Sequence, residues 1–174
     1  MEIKNVFVVG TGLMGSGIAQ VCAQSGIQVI LNDVSQAVID KGLQGIAWSV
    51  GKFIEKGKLT EKKETILNRI EGTTDFSRGA DADLAIEVVP ENLKLKQEIF
   101  RKLDEVCRSD AVLASNTSAI PITSLGSVTQ HPDRVLGLHT QVSYGNPRGL
   151  FACFIGAQYF TDRKSTRLNS SHRL

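Results

Sequence analysis

The feature that most constrains the fold of this chain is an apolar run, residues 6–9, that leads directly into three closely spaced glycines. The residues that follow have helical character, so the pattern predicts a buried strand, a tight turn and a helix. In a G-x-G-x-x-G turn the first glycine permits the turn, the second lets the backbone approach a pyrophosphate, and the third lets the helix pack on the strand. The phosphates would bind the free N–H groups of the helix N-terminus. The predicted dinucleotide-binding loop consists of Gly10, Thr11, Gly12, Leu13, Met14 and Gly15.

A second apolar run, residues 27–31, ends at Asn32 and Asp33. An acidic residue roughly 20 residues beyond the glycines can accept a hydrogen bond from a ribose 2′-hydroxyl. No Arg closely follows Asp33, and its carboxylate would repel a 2′-phosphate, so we predict NAD as the cofactor in preference to NADP. The alternative is a structural strand-turn-helix with a solvated Asp.

Predicted helices and strands alternate along the rest of the chain. Helical spacing covers residues 35–56, 60–69 and 92–106, and strand patterns cover residues 70–74, 83–89, 111–114 and 134–139. Strands that are almost continuously apolar are typical of a parallel sheet covered on both faces. The predicted class is therefore α/β, a Rossmann-type doubly wound, mainly parallel sheet, with its ligand site at the carboxyl ends of the strands.

Composition excludes several other classes of protein. The 174 residues suffice for one well-buried domain, and a net charge of +2 is too small to indicate a nucleic-acid or membrane-surface partner. Because we see no leader and no run of spanning length, we expect a cytoplasmic protein. Cys22, Cys107 and Cys153 are irregularly spaced. They are predicted to be buried thiols, and no metal site is predicted.

Four predicted strand ends together resemble the N-terminal NAD-binding domain of the L-3-hydroxyacyl-CoA dehydrogenases, over residues 1–139. The resemblance is carried by the glycine loop, Asp33 and three further segments. These segments are Val89-Pro90-Glu91-Asn92-Leu93-Lys94-Leu95-Lys96, Ser115-Asn116-Thr117-Ser118 and Gly137-Leu138-His139.

The resemblance implies that NAD oxidises the 3-hydroxyl of a 3-hydroxyacyl-CoA to the 3-ketoacyl-CoA, or that the reverse reduction occurs. It implies that Asp33 binds the adenosine ribose, while Glu91 and Lys96 position the nicotinamide-side ribose. Ser118 would hydrogen-bond near the reacting hydroxyl and contact the cofactor. His139 would take the hydroxyl proton, a task suited to imidazole, whose ordinary pKa is about 6.5. Full-length family members would bind acyl-CoA and form a homodimer or a larger oligomer.

Each of these assignments has a plainer alternative. Glu91 and Lys96 could be charged residues in the first turns of a helix, and Ser118 could be an N-cap. A single His at a strand end, such as His139, is usually structural.

The resemblance stops after His139. In the family this His is followed by two aromatics, Asn and Pro, and further on by a Glu that orients the imidazole. Here Thr140 follows, Phe151 occupies the position expected for the Glu, and no Asp or Glu lies between Asp133 and Asp162. Loss of an orienting carboxylate costs about 10⁴ in turnover in a hydrolytic triad, so we predict an inactive chain. The alternative function is a non-catalytic nucleotide-binding module.

The predicted organisation has three parts. Residues 1–139 form the NAD-binding domain, residues 140–161 are a divergent end of that domain, and residues 162–174 are an adapter-derived tail. The tail is so interpreted because its residues match, codon by codon, a widely used sequencing adapter. The mostly helical second domain of the family is expected to be missing from this chain.

Overall fold

The computed structural model describes residues 2–142 and 151–154 of the chain. Its centre is a six-stranded parallel sheet in the order β3-β2-β1-β4-β5-β6. The strands are β1 Asn5–Val9, β2 Gln28–Asn32, β3 Ile70–Thr73, β4 Leu84–Glu87, β5 Val112–Ser115 and β6 Val135–Gly137. This is the strand order of doubly wound dinucleotide-binding folds, and it confirms the predicted fold class. Between β1 and β4 the order reverses, so a crevice opens there at the carboxyl ends of the strands.

In the described part of the chain, five helices cover the two faces of the sheet. They are α1 Leu13–Gln24, α2 Gln36–Glu55, α3 Lys63–Leu67, α4 Leu93–Val106 and α5 Ile122–Gly126, with 3₁₀ turns at Phe76–Gly79 and Pro132–Arg134. The start of α4 is fixed by Asn92, whose side chain accepts a hydrogen bond from the Leu95 N–H at 3.1 Å. This cap places Lys96 in the first turns of α4, close to the end of β4.

The strand β1 shows why the sequence runs are continuously apolar. Val6 and Val8 belong to the core on one face of the sheet, and Phe7 and Val9 belong to the core on the other face. Successive side chains of a strand point to opposite faces, so a strand covered on both sides must be apolar at every position.

The predicted helix over residues 60–69 is wrong in its extent. Helix α3 begins at Lys63, with the extended residue Lys62 as its N-cap. The preceding Glu61 forms a two-fold ion pair with Arg69, at 2.7 and 2.5 Å, and Arg69 also donates to the Ala23 carbonyl at 2.9 Å. These contacts hold Glu61 outside the helix, so Thr60 does not begin it.

The predicted strand over residues 134–139 divides into two. Strand β6 ends at Gly137, and His139 begins β7, His139–Val142, which pairs antiparallel with β8, Phe151–Phe154. The Leu138 N–H donates to the Ser115 carbonyl at 2.9 Å, where β5 ends. Beyond that point β5 offers no further parallel partner, so the chain leaves the main sheet.

The predicted tail, residues 162–174, cannot be compared with the structure. Residues 143–150 and 155–174 lie outside the described residues, so the tail stays a prediction.

Two of the three cysteines are described. Cys107 is buried, and burial raises the pKa of its thiol to about 11, whereas Cys22 is half-buried against the core. Within residues 2–142 and 151–154, no helix is long and apolar enough to cross a membrane.

Candidate functional site

A cavity of about 910 Å³ lies at the carboxyl edge of the sheet, where the strand order reverses. Its lining brings together three separate predicted segments: the glycine loop after β1, Asp33 after β2, and the turn and helix after β4. The predicted residues that line it are Gly10, Gly12, Leu13, Met14, Asp33, Glu91 and Lys96. The cavity is at the upper end of the range for small-molecule sites.

The three glycines of the loop differ in what their backbone positions require. Gly10 has φ of 110°, and a Cβ there would lie 2.8 Å from the Val88 carbonyl oxygen. A Cβ on Gly15 would lie 1.8 Å from the Gly10 carbonyl oxygen. A Cβ on Gly12, by contrast, would meet nothing within 4 Å. The fold itself therefore requires glycine at 10 and 15, whereas Gly12 leaves open space on the cavity side of the loop.

The N-terminus of α1 faces this open space. Gly12 is the N-cap, no side chain caps the helix, and its first turn carries no acidic residue. The N–H groups of a first helical turn have no partner within the helix and carry a partial positive charge. Such an end, next to a glycine without steric restriction, fits the pyrophosphate of a dinucleotide.

Asp33 is held in place by backbone groups. Its Oδ2 accepts from the Thr11 N–H and its Oδ1 accepts from the Val34 N–H, each at 2.8 Å. A carboxylate has about four lone-pair positions, so each oxygen keeps acceptor capacity for a ribose hydroxyl. Thr11 itself is buried beneath the loop and does not line the cavity. Its contact with Asp33 joins the glycine loop to the acidic residue.

A buried ion pair lies at the end of β4. The Lys96 ammonium donates to Glu87 Oε1 at 2.7 Å, and the two side chains are 2% and 0% exposed. Lys96 also donates to the Val89 carbonyl at 3.1 Å and lies 3.4 Å from Glu91 Oε2. Lys96 does lie in the first turns of α4, which was the plainer alternative for its charge, but its ammonium is buried and paired with a carboxylate.

Hydrogen bonds extend this pair into a closed ring. The Ser115 hydroxyl donates to Glu87 Oε2 at 2.6 Å, and the Thr117 N–H donates to Ser115 Oγ at 3.3 Å. The Thr117 hydroxyl donates to Glu91 Oε1, and Glu91 returns to Lys96. The ring joins the ends of β4 and β5 to the start of α4.

Glu91 is the member of the ring that reaches solvent, with 44% of its side chain exposed. Burial raises the pKa of its carboxyl, but the Thr117 hydrogen bond and the Lys96 charge outweigh this effect, so the net pKa is lowered. Glu91 is therefore a hydrogen-bond acceptor at the cavity over the ordinary range of pH.

Ser118 and His139 are the two predicted residues of the reaction centre. Ser118 is exposed and does not line the cavity. It is not an N-cap, because α5 begins at Ile122 with Pro121 as its cap. For His139 the description covers the backbone in β7, and its side chain lies outside the described part of the chain.

The residue after His139 is fixed to the cavity wall by Asn116. Asn116 follows β5 and lines the cavity, and its Oδ1 accepts from the Thr140 N–H at 3.0 Å and from the Thr140 hydroxyl at 2.7 Å. The backbone next to His139 is thereby attached to the edge of the sheet that carries the other site residues.

Sequence reasoning missed two parts of this site. Glu87 was overlooked, although a charged residue that ends an apolar strand is an available signal. The apolar wall was also missed: Val34 and Val38 line the cavity and are 98% and 41% exposed. Both follow Asp33 closely and add an apolar surface to the cavity wall.

Comparison with known proteins gives consistent matches. The chain is 46% identical over 132 residues to a probable 3-hydroxybutyryl-CoA dehydrogenase of Deinococcus radiodurans, covering 76% of this chain and 48% of that protein. It superposes on M. tuberculosis FadB2 with a TM-score of 0.78 and 43% identity, covering 81% of this chain and 50% of that one. Superposition on the (S)-3-hydroxybutyryl-CoA dehydrogenase of Ralstonia eutropha gives a TM-score of 0.78 and 41% identity, and it covers 80% of this chain and 50% of that one. The chain thus spans about half the length of these relatives.

The sequence family described as "3-hydroxyacyl-CoA dehydrogenase, NAD binding domain" matches residues 5–147. The match includes every predicted site residue, and it confirms both the resemblance and the predicted cofactor, NAD. With the glycine loop, Asp33 and the strand order in agreement, the chain belongs to the family of NAD-binding domains of the 3-hydroxyacyl-CoA dehydrogenases.

Proposed function

We propose that this chain binds NAD across the cavity and forms the NAD-binding part of an enzyme that interconverts 3-hydroxyacyl-CoA and 3-ketoacyl-CoA. The observation that carries the proposal is the single cavity lined by the glycine loop, Asp33 and Glu91. The names of the relatives, 3-hydroxybutyryl-CoA dehydrogenases, support an acyl-CoA substrate.

In this proposal the two halves of the cavity hold the two halves of the cofactor. The N-terminus of α1 binds the pyrophosphate next to Gly12, and Asp33 accepts hydrogen bonds from the adenosine ribose. The exposed apolar side chains Val34 and Val38 offer the adenine a surface to cover. Glu91, held by Lys96, accepts a hydrogen bond from the nicotinamide-side ribose.

Ser118 and His139 are the proposed catalytic residues. His139 accepts the proton of the substrate hydroxyl, and Ser118 donates a hydrogen bond to the same oxygen, which stabilises charge as it develops. Bound NAD supplies the acceptor for the hydride that leaves the carbinol carbon. Asn116 supports this arrangement, because it fixes the backbone of Thr140 next to His139.

A second candidate function, NAD binding without turnover, is favoured by one feature of the sequence. Phe151 occupies the position expected for the orienting Glu, and residues 134–161 contain no Asp or Glu. An imidazole without an orienting carboxylate loses about 10⁴ in turnover in the hydrolytic triad. We expect the 174-residue chain to bind NAD and to show a comparable loss.

The experiment measures NADH binding and turnover on the same protein. NADH fluorescence is titrated with the chain and with Gly12→Val, and oxidation of 3-hydroxybutyryl-CoA is followed by the absorbance of reduced nicotinamide. We expect saturable binding that Gly12→Val weakens at least about 100-fold, because a side chain there would occupy the pyrophosphate position. Equal affinity for the two proteins would overturn the proposed site.

Turnover then separates the two candidate functions. His139→Gln should retain NADH affinity and remove any residual oxidation of the substrate, whereas Ser118→Ala should lower the oxidation rate and weaken NADH binding slightly. A rate near that of a full-length relative would exclude the non-catalytic alternative. Absence of turnover together with tight NADH binding would support it.

A further inference from the structure

We propose that Glu87 is a positioning residue for cofactor binding, which acts through Lys96 to keep the Glu91 carboxylate available at the cavity. The inference rests on the proposed function in one respect, that Glu91 accepts a hydrogen bond from bound NAD. Glu87 itself ends β4 and does not line the cavity, so any effect on the cofactor must pass through its neighbours.

The surroundings of Glu87 are those of a fixed, ionised carboxylate. It accepts hydrogen bonds from the Val89 N–H at 2.7 Å, from Lys96 at 2.7 Å and from the Ser115 hydroxyl at 2.6 Å. Its side chain is 0% exposed. A buried carboxylate with three donors, one of them a cation, is strongly restrained in position.

Lys96 divides its charge unequally between two carboxylates. Its ammonium lies 2.7 Å from Glu87 and 3.4 Å from Glu91, and its remaining hydrogen-bond partner is the Val89 carbonyl at 3.1 Å. Three acceptors match the three donors of an ammonium group. Because Glu87 holds the nearer position, the cluster of one cation and two carboxylates keeps its excess negative charge on Glu91, the member exposed to the cavity.

Without the charge of Glu87, Lys96 would have a single carboxylate partner. The ammonium would then move toward Glu91 and occupy a lone pair that bound NAD would use. The hydroxyls of the ring do not replace Glu87, because neither Ser115 nor Thr117 carries a charge. Glu87 therefore determines how much acceptor capacity Glu91 presents, although it touches no ligand.

A second buried ion pair provides the matched control. Arg134 and Asp104 lie 2.7 Å apart, with side chains 7% and 4% exposed, and neither lines the cavity. This pair is nearly as buried as Lys96 and Glu87, but it attaches the start of β6 to the end of α4. A variant at Asp104 reports the general effect of neutralising a buried carboxylate in this fold.

The test is a double-mutant cycle on NADH affinity, measured by fluorescence titration, with thermal unfolding of every variant as the second readout. We expect Glu87→Gln and Glu91→Gln each to weaken NADH binding about tenfold, since a charge-assisted hydrogen bond contributes on that scale. The double variant should bind NADH no more weakly than Glu91→Gln alone. Asp104→Asn should lower the unfolding temperature and leave the NADH affinity unchanged.

Two outcomes would overturn the inference. If the losses from Glu87→Gln and Glu91→Gln multiply in the double variant, Glu87 does not act through Glu91. If Asp104→Asn weakens NADH binding as much as Glu87→Gln, the effect is a general loss of stability.

Should Glu87→Gln fail to fold, Ser115→Ala provides the same cycle with a smaller change, because it removes one hydrogen bond to Glu87 and no charge. Its weaker effect on NADH affinity should also disappear in the Glu91→Gln background, and persistence there would overturn the inference. Failure of the proposed function is distinguishable: the original chain would then bind no NADH, or Gly12→Val would bind it equally well.

Discussion

The two halves of the cavity are built by different means. On the side of β1, α1 and β2, the contacts come from backbone groups and one half-exposed carboxylate, Asp33. On the side of β4, α4 and β5, they come from a ring of side chains whose centre, Glu87 and Lys96, is fully buried. The first half needs glycines and a strand end, whereas the second needs charged groups brought together from separate elements.

This difference has an energetic consequence. Peptide N–H groups at the N-terminus of α1 remain near the open cavity, so little desolvation is required there. A buried ion pair loses the hydration of both charges, and its attraction roughly repays this loss only with good geometry and further hydrogen bonds. The ring around Glu87 supplies those bonds. We therefore expect the loss of a charge to lower the free energy of unfolding less in the half formed by β1, α1 and β2 than in the half that contains Glu87.

The largest expected effect separates two glycines of the same loop. Gly15→Ala would place a Cβ 1.8 Å from the Gly10 carbonyl oxygen. We expect it to lower the free energy of unfolding by about 4 kcal/mol or more, in the range of severe core substitutions. The control is Gly12→Ala, whose Cβ meets nothing within 4 Å. Urea unfolding of both variants measures the difference, and equal losses would contradict the separate roles of the two glycines.

On the opposite side, Lys96→Met tests the buried charge. The substitution leaves Glu87 buried without its cation, and we expect a loss of about 3–5 kcal/mol in the free energy of unfolding. Lys102→Met is the control, because Lys102 lines the same cavity but is exposed. Its change should stay within about 0.5 kcal/mol. If denaturant unfolding gives both variants similar free energies of unfolding, the ion pair between Lys96 and Glu87 does not stabilise the fold as its burial indicates.

Asp33→Asn tests the carboxylate in the half of the cavity formed by β1, α1 and β2. The amide still fills the position, but the charged acceptor is lost, so NADH affinity should fall about tenfold. NADPH should lose less or gain, because the repulsion of its 2′-phosphate is removed. Fluorescence titration with both cofactors measures this change. Asp40→Asn, at an exposed residue of α2, is the control and should alter neither affinity. An unchanged ratio of the two affinities would count against Asp33 as the discriminating residue.

The smallest expected effect concerns how the stability that the ion pair between Asp104 and Arg134 contributes depends on pH. Burial raises the pKa of Asp104, but hydrogen bonds from Arg134 and the Gln130 N–H outweigh it, so the pKa lies below its ordinary value of 3.8. A folded-state pKa below the unfolded one stabilises the protein above the ordinary pKa, and this contribution is lost as the pH falls through the lowered value.

Asp104→Asn should therefore cost about 1 kcal/mol near neutral pH, the difference between a charged and a neutral hydrogen-bond partner. The cost should begin to shrink below about pH 4, where the unfolded carboxyl is protonated, and disappear below the lowered pKa, where the folded carboxyl is protonated as well. Unfolding midpoints measured at several pH values test this. A cost that stays constant from neutral to acidic pH would contradict the pKa assignment.

The sequence brought the glycine loop and Asp33 to the same cavity because the signals for these residues are local. The spacing of Gly10, Gly12 and Gly15 and the position of Asp33 follow directly from the turn and strand that carry them. Helix α2 was predicted over residues 35–56, and Ser35 and Lys56 are its two caps. Helix α3 was overextended because the ion pair between Glu61 and Arg69, eight residues apart, competes with the local helical pattern.

Two features required the packed structure. The split after Gly137 depends on where β5 stops offering hydrogen bonds, which involves residues more than twenty positions earlier. The pairing of Glu87 with Lys96 depends on how α4 packs against the end of β4. Neither the end of β6 nor the pairing of Glu87 with Lys96 can be predicted from the spacing of residues in the sequence alone.

The sequence by itself determined the doubly wound fold and indicated NAD as the cofactor, because strand periodicity, glycine conformation and one strand-end carboxylate act locally. The tertiary structure alone decided that Lys96 is buried, that Glu87 holds it, and that Glu91 is left as the exposed acceptor. The physical reason is that the energy of a charge depends on its distance to other charges and to water, and both are fixed only when helices pack on the sheet.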